Sequence, residues 1–271
     1  MIFEETFEMW NGVTIPKLAL GTWLIENANA SDAVKNALEI GYRHIDTAQA
    51  YGNEAGVGDG IRRSGIPRAK IFITSKVAAE RKSYEAARTS IDNSLKQSGL
   101  DYLDLMLIHC PQPWSEYHQS ENHYLEENRQ VWRAMGEAYQ AGKLRAIGVS
   151  NFEESDLENI FSDCSVKPMV NQILVHIART PMELIRYCQK KDILVEAYSP
   201  IAHGDALHNP MIQKMAQKYK VSVAQLCIQY VLQLCLVALP KTESPDHMRE
   251  NATLAFEITD TDMKRLYQLQ N

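Results

Sequence analysis

The sequence predicts an α/β protein, a (β/α)8 TIM barrel, formed by one domain over residues 1–271. Three observations lead to this prediction. Short and almost continuous apolar runs recur along the chain, segments with helical periodicity separate them, and eight such pairs fit within 271 residues. Continuous apolar runs are expected of parallel strands that are covered on both faces. Eight strands that each lead into a helix are the pattern of this barrel.

The chain opens with a predicted β-hairpin outside the barrel. Residues 7–10 and 13–15 flank the pair Asn11-Gly12. This pair is favoured in a two-residue type I′ turn, because both positions need a positive φ.

The predicted barrel strands and helices follow in alternation. The strands cover residues 18–20, 43–45, 71–73, 105–108, 146–149, 169–171, 194–197 and 236–239. Helical spacing of apolar residues predicts helices near residues 33–38, 84–95, 132–139, 212–219 and 226–234. A last helix is expected to end near residue 269, leaving a short C-terminal tail and an open pocket. An open doubly wound sheet is the alternative architecture, but residues 20–23 read LGTW where a dinucleotide-binding sheet would carry GxGxxG.

Composition limits the possible partners and compartments. The net charge of −6 gives no case for binding nucleic acid or an acidic membrane. No apolar run approaches the roughly 20 residues of a membrane span, and the acidic N-terminus does not resemble a signal peptide. Five scattered cysteines without CxxC spacing fit reduced thiols, so we expect a cytoplasmic protein.

Reactive side chains follow three neighbouring strands. Asp46 follows the second predicted strand, Lys76 the third and His109 the fourth, while Tyr51 lies in the second loop. Barrel enzymes place catalytic groups at the C-terminal ends of their strands, so we expect these four side chains at one mouth.

These residue types suit proton transfer to an oxygen. A tyrosine with a pKa of about 10 is a poor acid near neutrality, and a nearby ammonium group lowers that pKa. Asp46 could keep a buried Lys76 charged, and His109 could bind a substrate oxygen. Carbonyl reduction needs these parts with a hydride donor opposite.

Each of these candidate residues also has an alternative role. Lys76 alone could be a solvated strand end, and Ser150-Asn151 could be a helix cap ahead of residues 153–154. His44 and Asp46 have His-x-Asp spacing, which a metal-dependent barrel hydrolase could use. Only His109 and His176 could be recruited to complete such a metal site.

Several motifs resemble the aldo-keto reductase family over essentially the full chain. GYRHIDTAQAYGNE, ITSK and LIHCP are similar to its catalytic motifs. IGVSNF, residues 170–172, AYSP and LPKT are similar to its cofactor motifs, in the same order. The resemblance implies a (β/α)8 barrel that reduces aldehydes or ketones with NADPH, and possibly NADH. It implies an enzyme of the alcohol dehydrogenase (NADP+) type, a monomer with a small carbonyl substrate.

The resemblance also implies residue roles. Tyr51 would be the general acid, assisted by Asp46 and Lys76, and His109 would orient the carbonyl. Trp23 and Cys110 would join His109 at the substrate. The implied cofactor-binding residues are Thr22, Ser150, Asn151, Gln172, Tyr198, Ser199, Ile201, Lys241, Thr242, His247, Glu250 and Asn251.

The sequence departs from the family pattern at a position expected to bind the adenosine phosphate of NADPH. His247 stands where the family usually has arginine, and a neutral imidazole cannot replace a guanidinium on a phosphate. We therefore expect a weakened preference for NADPH over NADH. The family also includes regulatory barrel subunits that bind nicotinamide cofactors. A regulatory subunit of this kind, with little turnover, is the alternative function.

Overall fold

Eight parallel strands form the barrel, and each pairs with the strand that follows it in the chain. The computed structural model describes residues 2–270. The hairpin strands are β1 (Thr6–Glu8) and β2 (Thr14–Pro16). The barrel strands are β3 (Leu20–Gly21), β4 (His44–Asp46), β5 (Phe72–Val77), β6 (Leu105–Ile108), β7 (Ile147–Ser150), β8 (Val170–Leu174), β9 (Leu194–Tyr198) and β10 (Val237–Leu239). The predicted fold class is confirmed.

Backbone hydrogen bonds join the last strand to the first. The Ala19 amide donates to the Ala238 carbonyl at 3.0 Å, and the Gly21 amide donates to the Pro240 carbonyl at 2.9 Å. This closure leaves neither β3 nor β10 as a free sheet edge. It therefore excludes the open doubly wound sheet.

Helices surround the barrel, and the five helical regions predicted from apolar spacing and the predicted last helix are all present. Among residues 2–270 the helices are α1 (Asn27–Ile40), α2 (Glu54–Ser64), α3 (Tyr84–Ser98), α4 (Leu125–Gln140), α5 (Glu154–Phe161), α6 (Met182–Lys190), α7 (Pro210–Tyr219), α8 (Val223–Gln233), α9 (Pro245–Asn251) and α10 (Asp260–Tyr267). Two helices, α7 and α8, separate β9 from β10. Within this described part of the chain, no helix has the length and apolar character to cross a membrane.

Helix α2 forms despite its glycines because they let it pack closely against its neighbours. A Cβ atom on Gly58 would lie 1.8 Å from the carbonyl oxygen of Ser98, at the end of α3. Cβ atoms on Gly56 and Gly60 would lie 2.4 and 2.6 Å from carbonyl oxygens of α1. Glycine weakens an isolated helix by about 0.5–1 kcal/mol relative to alanine, so packing decides this element.

The N-terminal hairpin forms a separate two-stranded sheet, as predicted, but its turn differs from the expectation. The Gly12 amide donates to the Met9 carbonyl at 2.8 Å, which makes Trp10 and Asn11 the central residues. Only Gly12 has a positive φ there, of 81°, so the predicted type I′ turn at Asn11-Gly12 is wrong. The Asn11 side-chain amide donates to the Arg145 carbonyl at 3.0 Å and ties the hairpin to the barrel.

Candidate active site

The four predicted catalytic side chains lie together at the C-terminal end of the barrel. Asp46 is the last residue of β4, Lys76 lies near the end of β5, and His109 directly follows β6. Tyr51 ends the short 3-10 helix Gln49–Tyr51 in the loop after β4. Parallel pairing aligns the strand ends, which is why residues distant in sequence meet at one mouth.

Lys76 is fully buried and bound on several sides. Its Nζ donates to the two carboxylate oxygens of Asp46 at 2.7 and 2.9 Å and to the Thr47 carbonyl at 2.9 Å. The Tyr51 hydroxyl lies 3.3 Å from the same nitrogen. Burial alone would lower the pKa of Lys76, but its interactions with Asp46 and Tyr51 outweigh burial and raise this pKa above its ordinary value. The ammonium group is therefore retained at neutral pH.

The pKa of Tyr51 differs from the sequence-based expectation. Burial is the largest influence and raises this pKa, Lys76 lowers it, and Asp46 raises it. The net pKa lies above the ordinary tyrosine value, because desolvation of the phenolate outweighs the attraction of Lys76. The phenol consequently keeps its proton at neutral pH, and that proton is available for donation.

His109 is a neutral imidazole against the same tyrosine. Its ring centroid lies 5.6 Å from that of Tyr51 and 5.1 Å from that of Trp114. Burial and the charge of Lys76 lower the pKa of His109 well below its usual value. The Nδ1 atom is buried and has no hydrogen-bond partner among residues 2–270. A neutral ring can still donate one N–H to a ligand oxygen.

A layer of buried polar side chains lies beneath the ion pair. Gln172 Nε2 donates to Asp46 Oδ2 at 2.8 Å and to Glu196 Oε2 at 2.9 Å. Glu196 is fully buried, and His44 Nε2 lies 3.8 Å from its other oxygen, Oε1. Burial and the nearby Asp46 raise the pKa of Glu196 to about 8, although Gln172 and Lys76 act in the opposite direction. Glu196 was not predicted as a site residue from the sequence, because it lies inside the apolar run of β9.

Asn151 and Tyr198 form one wall of the site. The Tyr198 hydroxyl donates to Asn151 Oδ1 at 2.7 Å, and Asn151 Nδ2 donates to the His109 carbonyl at 3.0 Å. Ser150 Oγ donates to the Gln172 carbonyl at 2.8 Å. The alternative role of Ser150-Asn151 as a helix cap is wrong, because α5 begins at the N-cap residue Glu153.

A pocket of about 1020 Å³ opens above these residues. It lies at the upper end of the range of about 300–1,000 Å³ found for ligand pockets. Most residues predicted from the sequence line it: Trp23, Asp46, Tyr51, His109, Ser150, Asn151, Gln172, Tyr198, Ser199, Ile201, Lys241, Thr242, His247, Glu250 and Asn251.

Three predicted site residues lie outside the lining of this pocket: Lys76, which is buried beneath it against Asp46, and Thr22 and Cys110. Thr22 is fully buried, and its hydroxyl donates to the Asp46 carbonyl at 2.9 Å. Cys110 is also fully buried, and burial raises the pKa of its thiol to about 12. The structure favours Thr22 as a support for Asp46, and Cys110 as a small apolar filler.

The far end of the pocket combines Lys241 with an acidic neighbour. Lys241 Nζ pairs with Glu243 Oε1 at 3.1 Å. His247 lines this end, whereas Arg249 pairs with Asp246 at 3.1 Å and lines a different cleft. Arg249 therefore does not take the place of the arginine that His247 replaces.

Loops after β6 and β9 contribute further residues to the lining of the pocket. Trp114 enters from the loop after β6, and His203 and Leu207 enter from the 3-10 segment Ala202–His208 after β9. The His203 and Trp23 rings meet edge to face at 5.2 Å between centroids. The position of these loops after barrel strands is the signal from which their place at the pocket could have been predicted.

The His-x-Asp motif does not form a metal-binding cluster. His44 is fully buried, and its Nε2 lies 2.9 Å from the Thr74 hydroxyl. Across residues 2–270, no group of three or more His, Cys, Asp or Glu side chains could hold a metal ion. The motif instead belongs to the polar layer under Asp46.

Comparison with known proteins identifies the family. A profile described as "Aldo/keto reductase family" matches residues 17–271. The chain belongs to the aldo-keto reductase family. This aldo-keto reductase is 41% identical over 265 residues to the glyoxal reductase of Bacillus subtilis, covering 97% of this chain and 92% of that protein. It is 36% identical over 275 residues to glycerol 2-dehydrogenase (NADP(+)) of Saccharomyces cerevisiae, covering 94% and 87%.

Solved structures agree with this assignment of the aldo-keto reductase. An aldo/keto reductase from Brucella melitensis superposes with a TM-score of 0.90 at 38% identity, covering 98% of this chain and 99% of that one. A Bombyx mori aldo-keto reductase in complex with NADP superposes with a TM-score of 0.87 at 31% identity, covering 98% and 92%. The predicted family and barrel are confirmed, and the chain is an oxidoreductase of the NAD(P)H-dependent class.

Proposed function

We propose that this aldo-keto reductase reduces small aldehydes or ketones to alcohols, with Tyr51 as the general acid. One observation carries the proposal: the Tyr51 hydroxyl lies 3.3 Å from a fully buried, carboxylate-paired Lys76 and lines the pocket. A protonated phenol beside a fixed cation can donate a proton to a developing alkoxide, and the cation stabilises the phenolate that remains.

The lining of the pocket fits a nicotinamide dinucleotide. The amide and hydroxyl groups of Asn151, Gln172 and Ser150 suit a carboxamide, which has both donors and an acceptor. The aromatic Tyr198 suits a planar ring, and Lys241 with Thr242 suits a phosphate. A bound reduced nicotinamide would supply the hydride. The protein would position the carbonyl oxygen between Tyr51 and the neutral His109.

The distant end of the pocket supports use of both NADPH and NADH. Lys241 is the cation there, and its pairing with Glu243 reduces the attraction that it offers a phosphate. A neutral His247 adds no compensating positive charge. We infer that the enzyme prefers NADPH over NADH only weakly.

The names of the relatives indicate small polar substrates. The Bacillus subtilis relative is called a glyoxal reductase, and the yeast relative a glycerol 2-dehydrogenase. We infer a similar substrate class, small α-dicarbonyls first, with aldoses, keto sugars and aromatic aldehydes as further candidates. We also infer a monomeric enzyme of the alcohol dehydrogenase (NADP+) type.

The test compares wild type with Tyr51→Phe against a panel of small carbonyls, following the oxidation of NADPH and NADH by absorbance. We expect kcat to fall by about 10²- to 10⁴-fold, because general acid catalysis is lost. Cofactor affinity, measured by calorimetry, should stay within about twofold, since at most one weak contact changes. Tyr102→Phe is the matched control, because its ring packs under Arg68 and does not line the pocket.

Two outcomes would contradict the proposal. Full activity in Tyr51→Phe would remove the assigned general acid. Tight cofactor binding by the wild type without turnover of any carbonyl would favour a nicotinamide-binding regulatory barrel.

A further inference from the structure

The contacts of Gln172 assign its amide atoms without ambiguity. A single terminal atom lies 2.8 Å from Asp46 Oδ2 and 2.9 Å from Glu196 Oε2. Both carboxylate oxygens of Asp46 accept hydrogen bonds from Lys76 Nζ, so Asp46 is an acceptor in this network. The shared atom must therefore be the nitrogen, because an oxygen against a carboxylate would be repelled.

Glu196 takes the second hydrogen of this nitrogen. With one hydrogen bond, to Asp46 alone, the amide could rotate about that bond. Two hydrogen bonds to acceptors from different strands, β4 and β9, fix the plane of the amide group. This also fixes the direction of the amide oxygen Oε1, which accepts no hydrogen bond from residues 2–270. Gln172 lines the pocket, and because its Nε2 is bound to Asp46 and Glu196, Oε1 is the amide atom left for a ligand.

We propose that Glu196 is a positioning residue for cofactor recognition, acting through Gln172, whose carbonyl oxygen it holds ready to accept an N–H of the nicotinamide carboxamide. This inference rests on the proposed function, because it needs a nicotinamide cofactor in this pocket. Glu196 does not itself line the pocket. It is fully buried, with Oε1 3.8 Å from His44 Nε2 and no hydrogen-bond partner for that oxygen among the described residues. A buried acid with an unsatisfied oxygen is costly for stability, which favours a functional reason for its presence.

The test measures binding rather than turnover. The dissociation constants of NADPH and of 2′-phospho-ADP-ribose, which is the same cofactor without nicotinamide, are determined by calorimetry. We expect Glu196→Met to weaken NADPH binding about tenfold, the equivalent of one well-oriented hydrogen bond. Binding of the fragment should stay within about twofold, because the fragment does not reach Gln172. Glu196→Gln should retain NADPH affinity, since its side-chain oxygen can still accept from Gln172.

A double-mutant cycle tests whether the effect passes through Gln172. Gln172→Met should weaken NADPH binding, and adding Glu196→Met should weaken it no further. The inference is overturned if Glu196→Met binds NADPH like the wild type, if it loses fragment binding to the same extent, or if the two losses add. Circular dichroism verifies folding, and Glu196→Val is the second apolar variant if Glu196→Met does not fold. Failure of the wild type to bind NADPH would instead contradict the proposed function.

Discussion

Replacing Lys76 by methionine tests the physical basis of the site. The methionine keeps most of the apolar stem but removes the ammonium group that lies 2.7 Å from Asp46. Asp46 is only 4% exposed, so in the variant its carboxylate would stay buried and would keep the single hydrogen bond from the Gln172 amide. Removing one partner of a buried ion pair typically costs about 3–5 kcal/mol.

Proton uptake limits this cost, and the limit depends on pH. An unpaired buried carboxylate escapes its desolvation penalty by binding a proton. For a carboxyl group with the ordinary aspartate pKa of about 3.9, that costs about 4 kcal/mol at pH 7 and about 1.5 kcal/mol at pH 5. We therefore expect Lys76→Met to lower the free energy of unfolding by about 3–4 kcal/mol at pH 7, and by roughly half that or less at pH 5.

Urea unfolding at the two pH values measures both quantities. The control is the double variant Asp46→Asn/Lys76→Met, in which the site is neutral. It should recover most of the stability lost at pH 7, because no uncompensated charge remains. An equal loss at pH 5 and pH 7, or a double variant no more stable than Lys76→Met, would refute this reasoning.

Three further predictions concern other parts of the molecule. Gly58→Ala should destabilise the fold by about 1–3 kcal/mol or more, because its Cβ would lie 1.8 Å from the Ser98 carbonyl oxygen. A Cβ atom on Gly136 in α4 would meet nothing within 4 Å, so Gly136→Ala should stabilise the protein by about 0.5–1 kcal/mol. Urea unfolding that finds Gly58→Ala more stable than Gly136→Ala would contradict the packing argument. The pKa of Glu196 is about 8 in the folded protein, against an ordinary value of 4.5. Between these two pH values the folded protein holds a proton that the unfolded chain has released. The contribution of Glu196 to stability therefore falls by up to about 1.4 kcal/mol per pH unit as the pH rises from 4.5 to 8. Glu196→Gln should remove this slope from the unfolding free energy measured between pH 5 and 8, and parallel profiles would show that Glu196 is ionised throughout. His247→Arg should tighten NADPH relative to NADH by about tenfold or more, as a charged hydrogen bond to phosphate allows; an unchanged ratio of dissociation constants would place the adenosine phosphate elsewhere.

The strand and helix pattern was readable from the sequence because its periods are local. Continuous apolar runs and helical stripes depend only on which residues face the core. Once eight parallel strands were predicted, Asp46, Lys76 and His109 had to share one mouth, since their strand ends align. The proximity of these predicted catalytic residues therefore followed from sequence order and fold class.

The direction in which individual side chains point could not be predicted from the periodicity of the sequence. Cys110 directly follows His109, yet it is buried away from the pocket that His109 lines. His247 and Arg249 lie two positions apart on α9, about 200° around a helix axis. They consequently line different clefts. These differences depend on backbone geometry at single residues, which composition and spacing do not record.

The sequence by itself determined the barrel, its strand order and the residues at its mouth. Only the tertiary structure decided that the glycine-rich segment of α2 is a helix and that Glu196 lies under Gln172. Both features depend on atoms brought together from distant parts of the chain: the Ser98 carbonyl against Gly58, and carboxylates from β4 and β9 on one amide nitrogen. Close packing and buried hydrogen bonds act over a few ångströms, so they exist only once the fold has formed.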